Sequence, residues 1–336
     1  MKDTLDFIVI GAQKAGTTSL FEYLRRHPEL SLPADKETPF FGDPEEGRRG
    51  FHEYVSRTFP LADPSARWGT VTPQYMAGGL LDSANPGSGG EAYDERTIPL
   101  RMRERVPAVR LVAILRDPVQ RAESHHRMAC MEGIETRPFA VAIDELLQPQ
   151  ACEAARRQPS ETRGYIAWGE YGRILEGYFE VFPSSQILVV FTDELENTPE
   201  QTVQRIFEFL AVQPGFVPDN IGTSYRVGAG KRRIGWLGTY SALSPFAVQR
   251  VLAGNRAARA LWHSIPAGGR RRVDGAFGRF TYRLDLWNRR GGGEADATDT
   301  TDEADTSTRE RLRAHFAPDG ELLARLVGRQ PPWAAS

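Results

Sequence analysis

Cysteine is scarce in this chain: two residues, Cys130 and Cys152, among 336. Two irregularly placed thiols cannot make a disulfide framework or a zinc site, so both read as reduced and structural. Long apolar runs are missing as well. No stretch approaches the roughly 18 apolar residues of a membrane span. The first strand pattern starts within a few residues of Met1, which leaves no room for a secretory leader, so the expectation is a cytoplasmic protein. Internal repeats are absent, and with them the solenoid and propeller architectures.

Net charge is also small, −2 from 42 basic and 44 acidic residues, but it is unevenly distributed. Residues 226–290 carry 14 Lys or Arg against two Asp, a net of 14 − 2 = +12, interleaved with Trp236, Trp262, Phe277, Phe280 and Trp287. The segment that follows, GGGEADATDTTDEADT, holds six acidic residues and no large apolar side chain. It cannot bury enough surface to order itself, so 291–308 reads as a disordered acidic insertion. The basic aromatic part, 241–290, admits three readings: a cap on a substrate site, a contact with an anionic membrane surface at the inner face through 245–290, or a solvated helical extension. No nucleic-acid motif accompanies the charge, which argues against a nucleic-acid partner.

Period and punctuation predict a strand at Phe7–Ile10, a turn over 11–16 and a helix over 17–26 that stops at His27-Pro28. Residues 30–48 read as an ordered loop. Val109–Leu115 and Gln186–Phe191 are continuous apolar runs, the pattern of strands covered on both faces. Amphipathic helices fall at 171–182 and 199–210, and Asp117-Pro118 opens a helix after the second strand. This alternation predicts an α/β fold with a parallel central sheet flanked by helices on both faces. One large core over 1–240 is completed by a C-terminal helix over 309–336.

In such sheets ligands bind beyond the carboxyl ends of the strands. Two polar turns fall there. The first, Gly11-Ala12-Gln13-Lys14-Ala15-Gly16-Thr17-Thr18, keeps the glycine spacing of a triphosphate loop but has Thr17 where that loop has its lysine, and Lys14 inside the turn. Backbone N–H groups at the helix start, with the Thr17 and Thr18 hydroxyls, still make an anion nest. In the second turn, Arg116 closes a strand and Ser124 follows about two helical turns on, a second grip for an oxyanion. A kinase-type phosphotransferase would need the displaced lysine and an acidic strand end for magnesium, and neither is present.

GAQKAGTTSL resembles the 5'-phosphosulfate loop, and LRDPVQRAESHH the 3'-phosphate motif, of the sulfotransferases that use 3'-phosphoadenosine-5'-phosphosulfate (PAPS). The likeness extends through KETPFF at 36–41, through 182–210 and to the closing LLARLVGRQPPW. It implies a P-loop NTPase-like sulfotransferase fold, PAPS as co-substrate without a metal, and transfer to a hydroxyl of a sugar, glycolipid or secondary metabolite. By this resemblance Lys14, Ala15, Gly16, Thr17 and Thr18 hold the 5' end, Arg116 and Ser124 the 3'-phosphate, and Lys231 and Arg233 close over it. Lys14 would neutralise the leaving group. Glu37 would be the general base, with His125 and His126 as competing candidates. One departure stands out: where carbohydrate-branch members often read G-E-K-T-P-x-Y, this chain has Val71 in the lysine position. That keeps open a second reading, a PAPS-binding or membrane-associated homologue without catalysis.

Overall fold

The structure, a computed structural model, describes residues 2–60, 62–77, 94–131, 133–225 and 306–335. They belong to one compact unit assembled from 1–226 and 302–336. Lys231, Arg233, the basic aromatic region and the acidic segment up to residue 305 lie outside the described residues.

Five strands form the sheet among the described residues: β1 (Phe7–Gly11), β2 (Leu30–Ser31), β3 (Arg67–Val71), β4 (Arg110–Leu115) and β5 (Ile187–Phe191). They pair in the order β2-β3-β1-β4-β5, each pairing parallel. The expected parallel α/β sheet is present, and β1, β4 and β5 fall within a residue of the predicted runs. Phe7–Gly11 is buried throughout, as a strand covered on both faces must be.

β3 is a finding. No strand is expected there from the sequence, because Arg67-Trp68-Gly69-Thr70-Val71 lacks any apolar run. The structure makes it a strand paired with β1, and Gly69 is required there: a Cβ would lie 2.3 Å from the Phe7 ring. The expected loop at 30–48 likewise contains β2 at one end and a helix at the other.

The helices in chain order are α1 (Thr17–Leu24), α2 (Pro44–Arg49), α3 (Phe51–Thr58), α4 (Thr97–Arg105), α5 (Pro118–Met131), α6 (Phe139–Leu146), α7 (Pro149–Arg157), α8 (Gly164–Ala167), α9 (Tyr171–Val181), α10 (Thr192–Asn197), α11 (Pro199–Leu210) and α12 (Thr306–Val327). Among the described residues none is long and apolar enough to cross a membrane.

α12 begins at Thr306, three residues before the expected start and inside the stretch assigned to the acidic insertion. The reason is local: Thr308 is fully buried and Arg309 pairs with Glu123 of α5 at 2.7 Å. Further along, the Asp319 carboxylate accepts from the Gly172 and Arg173 N–H groups at 2.9 and 2.8 Å, capping the start of α9. Arg329 then reaches Glu194 of α10 and the Val189 carbonyl, and Trp333 packs edge-on against Phe191. The C-terminal segment thus closes over the β5 side of the sheet.

Register fixes where the chemistry gathers. Val9 pairs with Val71, Gly11 with Ala113 and Leu115 with Phe191, so β1, β3, β4 and β5 all end along one edge.

Candidate active site

The first turn leaves β1 at Gly11, against which Met76 packs so closely that a Cβ would sit 2.7 Å from its sulfur. The Ala12 N–H donates to the Ile114 carbonyl at 2.7 Å, tying the turn to β4. Lys14 (φ 69°) and Gly16 (φ 94°) both adopt the left-handed conformation, which turns successive N–H groups toward one concavity. Gly16 is the N-cap of α1 and has no side chain to bond the first-turn N–H groups. Those donors, which have no intrahelical acceptor, remain available to an anion. Ala15 and Thr17 are buried, while Lys14, Gly16 and Thr18 are partly exposed.

The second turn runs from Leu115 into α5. Asp117 caps that helix as expected, its Oδ1 accepting from the Val119 and Gln120 N–H groups at 2.8 and 3.0 Å. Arg116 therefore does not take Asp117 as its partner. Its guanidinium lies along the helix against Gln120 Oε1 at 3.0 and 3.2 Å, a neutral contact that an anion can replace. Ser124 is partly exposed on the same helix.

One residue joins the two turns. Thr192 Oγ1, at the start of α10, lies 2.7 Å from the Ala15 carbonyl and 3.1 Å from the Leu115 carbonyl, so a single hydroxyl proton serves both. The residues next to Lys14/Gly16 and Arg116 are thereby held to one point at the strand ends. Nothing in the sequence around Thr192 signals this; it depends on β5 ending beside β4.

Glu37 is exposed in the loop after β2, with Lys36 Nζ donating to its Oε1 at 2.9 Å and Gln74 Nε2 to its Oε2. An aromatic cluster of Phe40, Phe41, Phe51, Tyr54 and Tyr75 anchors this loop. The Tyr54 and Tyr75 hydroxyls both donate to the Thr38 carbonyl, at 3.1 and 3.3 Å. Burial, above all, raises both phenol pKa values, so they remain neutral donors. Val71 is wholly buried at the end of β3.

His125 and His126 are placed differently from free bases. His125 is fully buried and its Nδ1 faces an Arg121 guanidinium nitrogen at 3.3 Å; since arginine only donates, Nδ1 accepts. Its Nε2–H then donates to Glu161 Oε2 at 2.7 Å. Burial, aided by the Arg121 and Lys14 cations and opposed by the Glu161 bond, pushes the imidazole down to about 4. Both ring nitrogens are thus committed. His126 Nε2 donates to the Arg137 carbonyl at 2.9 Å, away from the strand ends.

Arg121, fully buried, holds the Gly164 and Tyr165 carbonyls, and Gln13 Nε2 donates to Glu161 Oε1 at 3.3 Å. A continuous polar chain therefore runs from the first turn through Glu161 and His125 into α5. The Arg121–His125 spacing of four on a helix was legible. The partnership of Gln13 with Glu161, 148 residues apart, was not.

Elsewhere, Cys152, Glu170 and His315 approach one another with a metal-ligand composition. The Glu170 carboxylate is already engaged by Arg156 at 2.6 and 2.8 Å and by Arg173 at 2.7 Å, so this cluster reads as a buried ion network joining α7, α9 and α12. Both cysteines are free, Cys152 buried and Cys130 exposed, which withdraws the structural role expected for Cys130.

With this geometry in place, the comparison with known proteins is direct. The family described as "Sulfotransferase domain" matches residues 4–222. The chain belongs to that family. The matched stretch contains Lys14, Glu37, Arg116, Ser124, His125, Glu161 and Thr192. Among curated proteins, the chain is 29% identical over 219 residues to "Bifunctional heparan sulfate N-deacetylase/N-sulfotransferase 3" of Homo sapiens, over 62% of this chain and 22% of that protein. It is 25% identical over 209 residues to "Heparan sulfate glucosamine 3-O-sulfotransferase 5" of Mus musculus, over 62% of this chain and 53% of that one. It thus spans about a fifth to a half of the length of these relatives. Among solved structures, a sulfotransferase from Alicyclobacillus acidocaldarius shares the fold, with a TM-score of 0.61 at 20% identity over 99% of each chain.

Proposed function

We propose that this sulfotransferase-family chain transfers the sulfuryl group of PAPS to a hydroxyl of a sugar, glycolipid or secondary-metabolite acceptor. The observation that carries the reading is the Thr192 hydroxyl shared between the Ala15 and Leu115 carbonyls, which brings two anion-compatible turns to one edge of the sheet. The chain fits a nucleotide with phosphates at both ends. The uncapped start of α1 suits the 5'-phosphosulfate, and Arg116, whose guanidinium rests against the neutral Gln120 amide, with Ser124 suits the 3'-phosphate. Lys231 and Arg233, outside the described residues, are assigned to the same phosphate. Tyr225, six residues before Lys231 in the sequence, is held on α1 by its N–H donating to Ser19 Oγ at 3.0 Å.

Bound PAPS supplies an activated sulfuryl group and a phosphate leaving group. The residues of this chain then have mainly to position and to balance charge. Lys14 sits inside the turn to offset charge on the 5'-phosphate oxygen as the S–O bond breaks. Glu37 accepts the proton lost by the acceptor hydroxyl as its oxygen bonds to sulfur. His125 does not compete for that role, because both of its nitrogens are taken. Lys36 and Gln74 steady the Glu37 carboxylate while leaving lone pairs on both oxygens.

The test is transfer from radiolabelled PAPS to fractionated extracts. Lys14→Ala and Glu37→Gln should abolish turnover, with binding of 3'-phosphoadenosine 5'-phosphate (PAP) retained in Glu37→Gln. Unchanged turnover in both variants overturns the site. PAP at 100 times its dissociation constant should stabilise the fold by about 2.7 kcal/mol, and ATP by much less. PAP binding without transfer by the wild type would favour the non-catalytic reading.

A further inference from the structure

Glu161 belongs to neither of the two polar turns, yet it bonds to a residue of each motif. Its Oε1 and Oε2 accept from Gln13 Nε2 in the first turn at 3.3 and 3.4 Å, and its Oε2 accepts from His125 Nε2 of α5 at 2.7 Å. Glu161 lies in the short connection between α7 and α8, with 41% of its side-chain surface exposed. A long charged side chain in such a place would ordinarily range over several rotamers, and fixing one costs up to about 2 kcal/mol. Something must hold this one.

A closed ring of bonds does so. Arg121 donates from one guanidinium nitrogen to His125 Nδ1 and from another to the carbonyls of Gly164 and Tyr165, just beyond Glu161 in the chain. The His125 ring is stacked on Trp168, with centroids 4.9 Å apart and 10° between the planes, and Tyr165 meets it edge-on. His125, Arg121 and the start of α8 thus fix both the carboxylate and the backbone that carries it. What this rigid carboxylate then holds is Gln13, the residue before Lys14. The Lys14 cation is among the charges acting on His125, so the ring lies close to the lysine assigned to the leaving group. Thr192 ties the turn through its backbone, whereas Glu161 ties it through a side chain.

We propose that Glu161 is a positioning residue, which through Gln13 holds the first turn rigid where Lys14 meets the leaving phosphate. This rests on the sulfuryl-transfer reading of the same site and adds to it a residue that acts only through another. The carboxylate serves as an acceptor for Gln13, not as a base. Misplacing a catalytic group by about 1 Å can cost as much as 10²-fold in rate, so a tie outside the reacting groups has a measurable consequence. The general shape of the anion nest is kept by backbone bonds, from Ala12 N–H to the Ile114 carbonyl and from Thr192 to the Ala15 carbonyl, which do not involve Glu161.

The test uses Gln13→Met, Glu161→Met, their double variant and Glu161→Gln. In Glu161→Gln the His125 bond is kept, and the Gln13 amide, whose Oε1 has no hydrogen-bond partner among the described residues, can turn over to accept from the new NH2 group. Hydrolysis of radiolabelled PAPS to PAP and sulfate, with water as the acceptor, reads the leaving-group side of the reaction alone. Gln13→Met and Glu161→Met should each lower kcat by at least about tenfold with KM for PAPS little changed. The double variant should lose no more than the worse single, and Glu161→Gln should stay near the wild type. Hydrogen exchange on the free protein is the second readout: the amides of residues 12–16 should exchange faster in Gln13→Met, while α5 and α8, whose own bonds are intact, should not. Wild-type exchange of the turn in Gln13→Met, additive losses in the double variant, a loss confined to KM, or a Glu161→Gln as slow as Glu161→Met would each overturn the proposal. Gln13 is partly exposed, so its variant decides the matter even if Glu161→Met does not fold. A wild type that binds PAP but releases no sulfate overturns the sulfuryl-transfer reading, and the exchange measurement still tests the tie between Glu161 and the turn.

Discussion

Replacing Thr192 by valine removes one hydroxyl and nothing else of consequence, since the two side chains have nearly the same shape and the residue is buried. The hydroxyl proton is shared between the Ala15 carbonyl at 2.7 Å and the Leu115 carbonyl at 3.1 Å. A net hydrogen bond contributes about 1 kcal/mol, and leaving a buried acceptor unpaired costs about 1–3 kcal/mol, so a loss of about 2 kcal/mol is expected. With an unfolding entropy of roughly 2.1 cal/mol/K per residue, that lowers Tm by about 3 °C for a chain of this length. The second consequence is specific to the site. If Thr192 holds the two turns in register, PAP affinity should drop by about tenfold, equivalent to about 1.4 kcal/mol. Denaturant melts give the first number and titration calorimetry the second. A destabilised variant that binds PAP as tightly as the wild type would refute the idea that this hydroxyl couples the turns. An unchanged Tm would refute the bond itself.

Gly16→Ala should destabilise by about 1–2 kcal/mol in equilibrium melts, because the backbone stands at φ 94° although the nearest atom to a new Cβ would be 3.6 Å away; the same variant should weaken PAP binding. Stability should fall with acid: His125 sits at about 4 in the fold against an ordinary 6.5, so the unfolded chain binds its proton first. The contribution is present above pH 6.5 and is lost as pH falls toward 4, at most roughly 3 kcal/mol, and His125→Gln should flatten that part of the melting profile. Arg121→Met should cost on the order of 3 kcal/mol in denaturant melts, since it strips donors from the buried Gly164 and Tyr165 carbonyls and leaves Glu161 with less compensating charge.

The strands with continuous apolar runs were legible because burial on both faces leaves a local mark. β3 was not, because its pairing depends on Gly69 admitting the Phe7 ring, a contact between residues 62 positions apart. Asp117 as a cap was legible from the strand-Asp-Pro order, and Gly16 from the turn itself. The commitment of His125 was hidden, since two adjacent histidines on a helix look alike until Arg121 and Glu161 are placed around one of them.

What the sequence alone determined is the parallel α/β core and the two polar turns that follow its apolar strands, because strand burial, glycine conformation and helix capping act over a few neighbouring residues. Tertiary structure decided which side chains meet at those turns. Thr192, Glu161 and Gln74 reach the site only through the order in which parallel strands lie side by side, and a hydrogen bond of 3 Å between residues more than a hundred positions apart leaves no periodic trace in the chain.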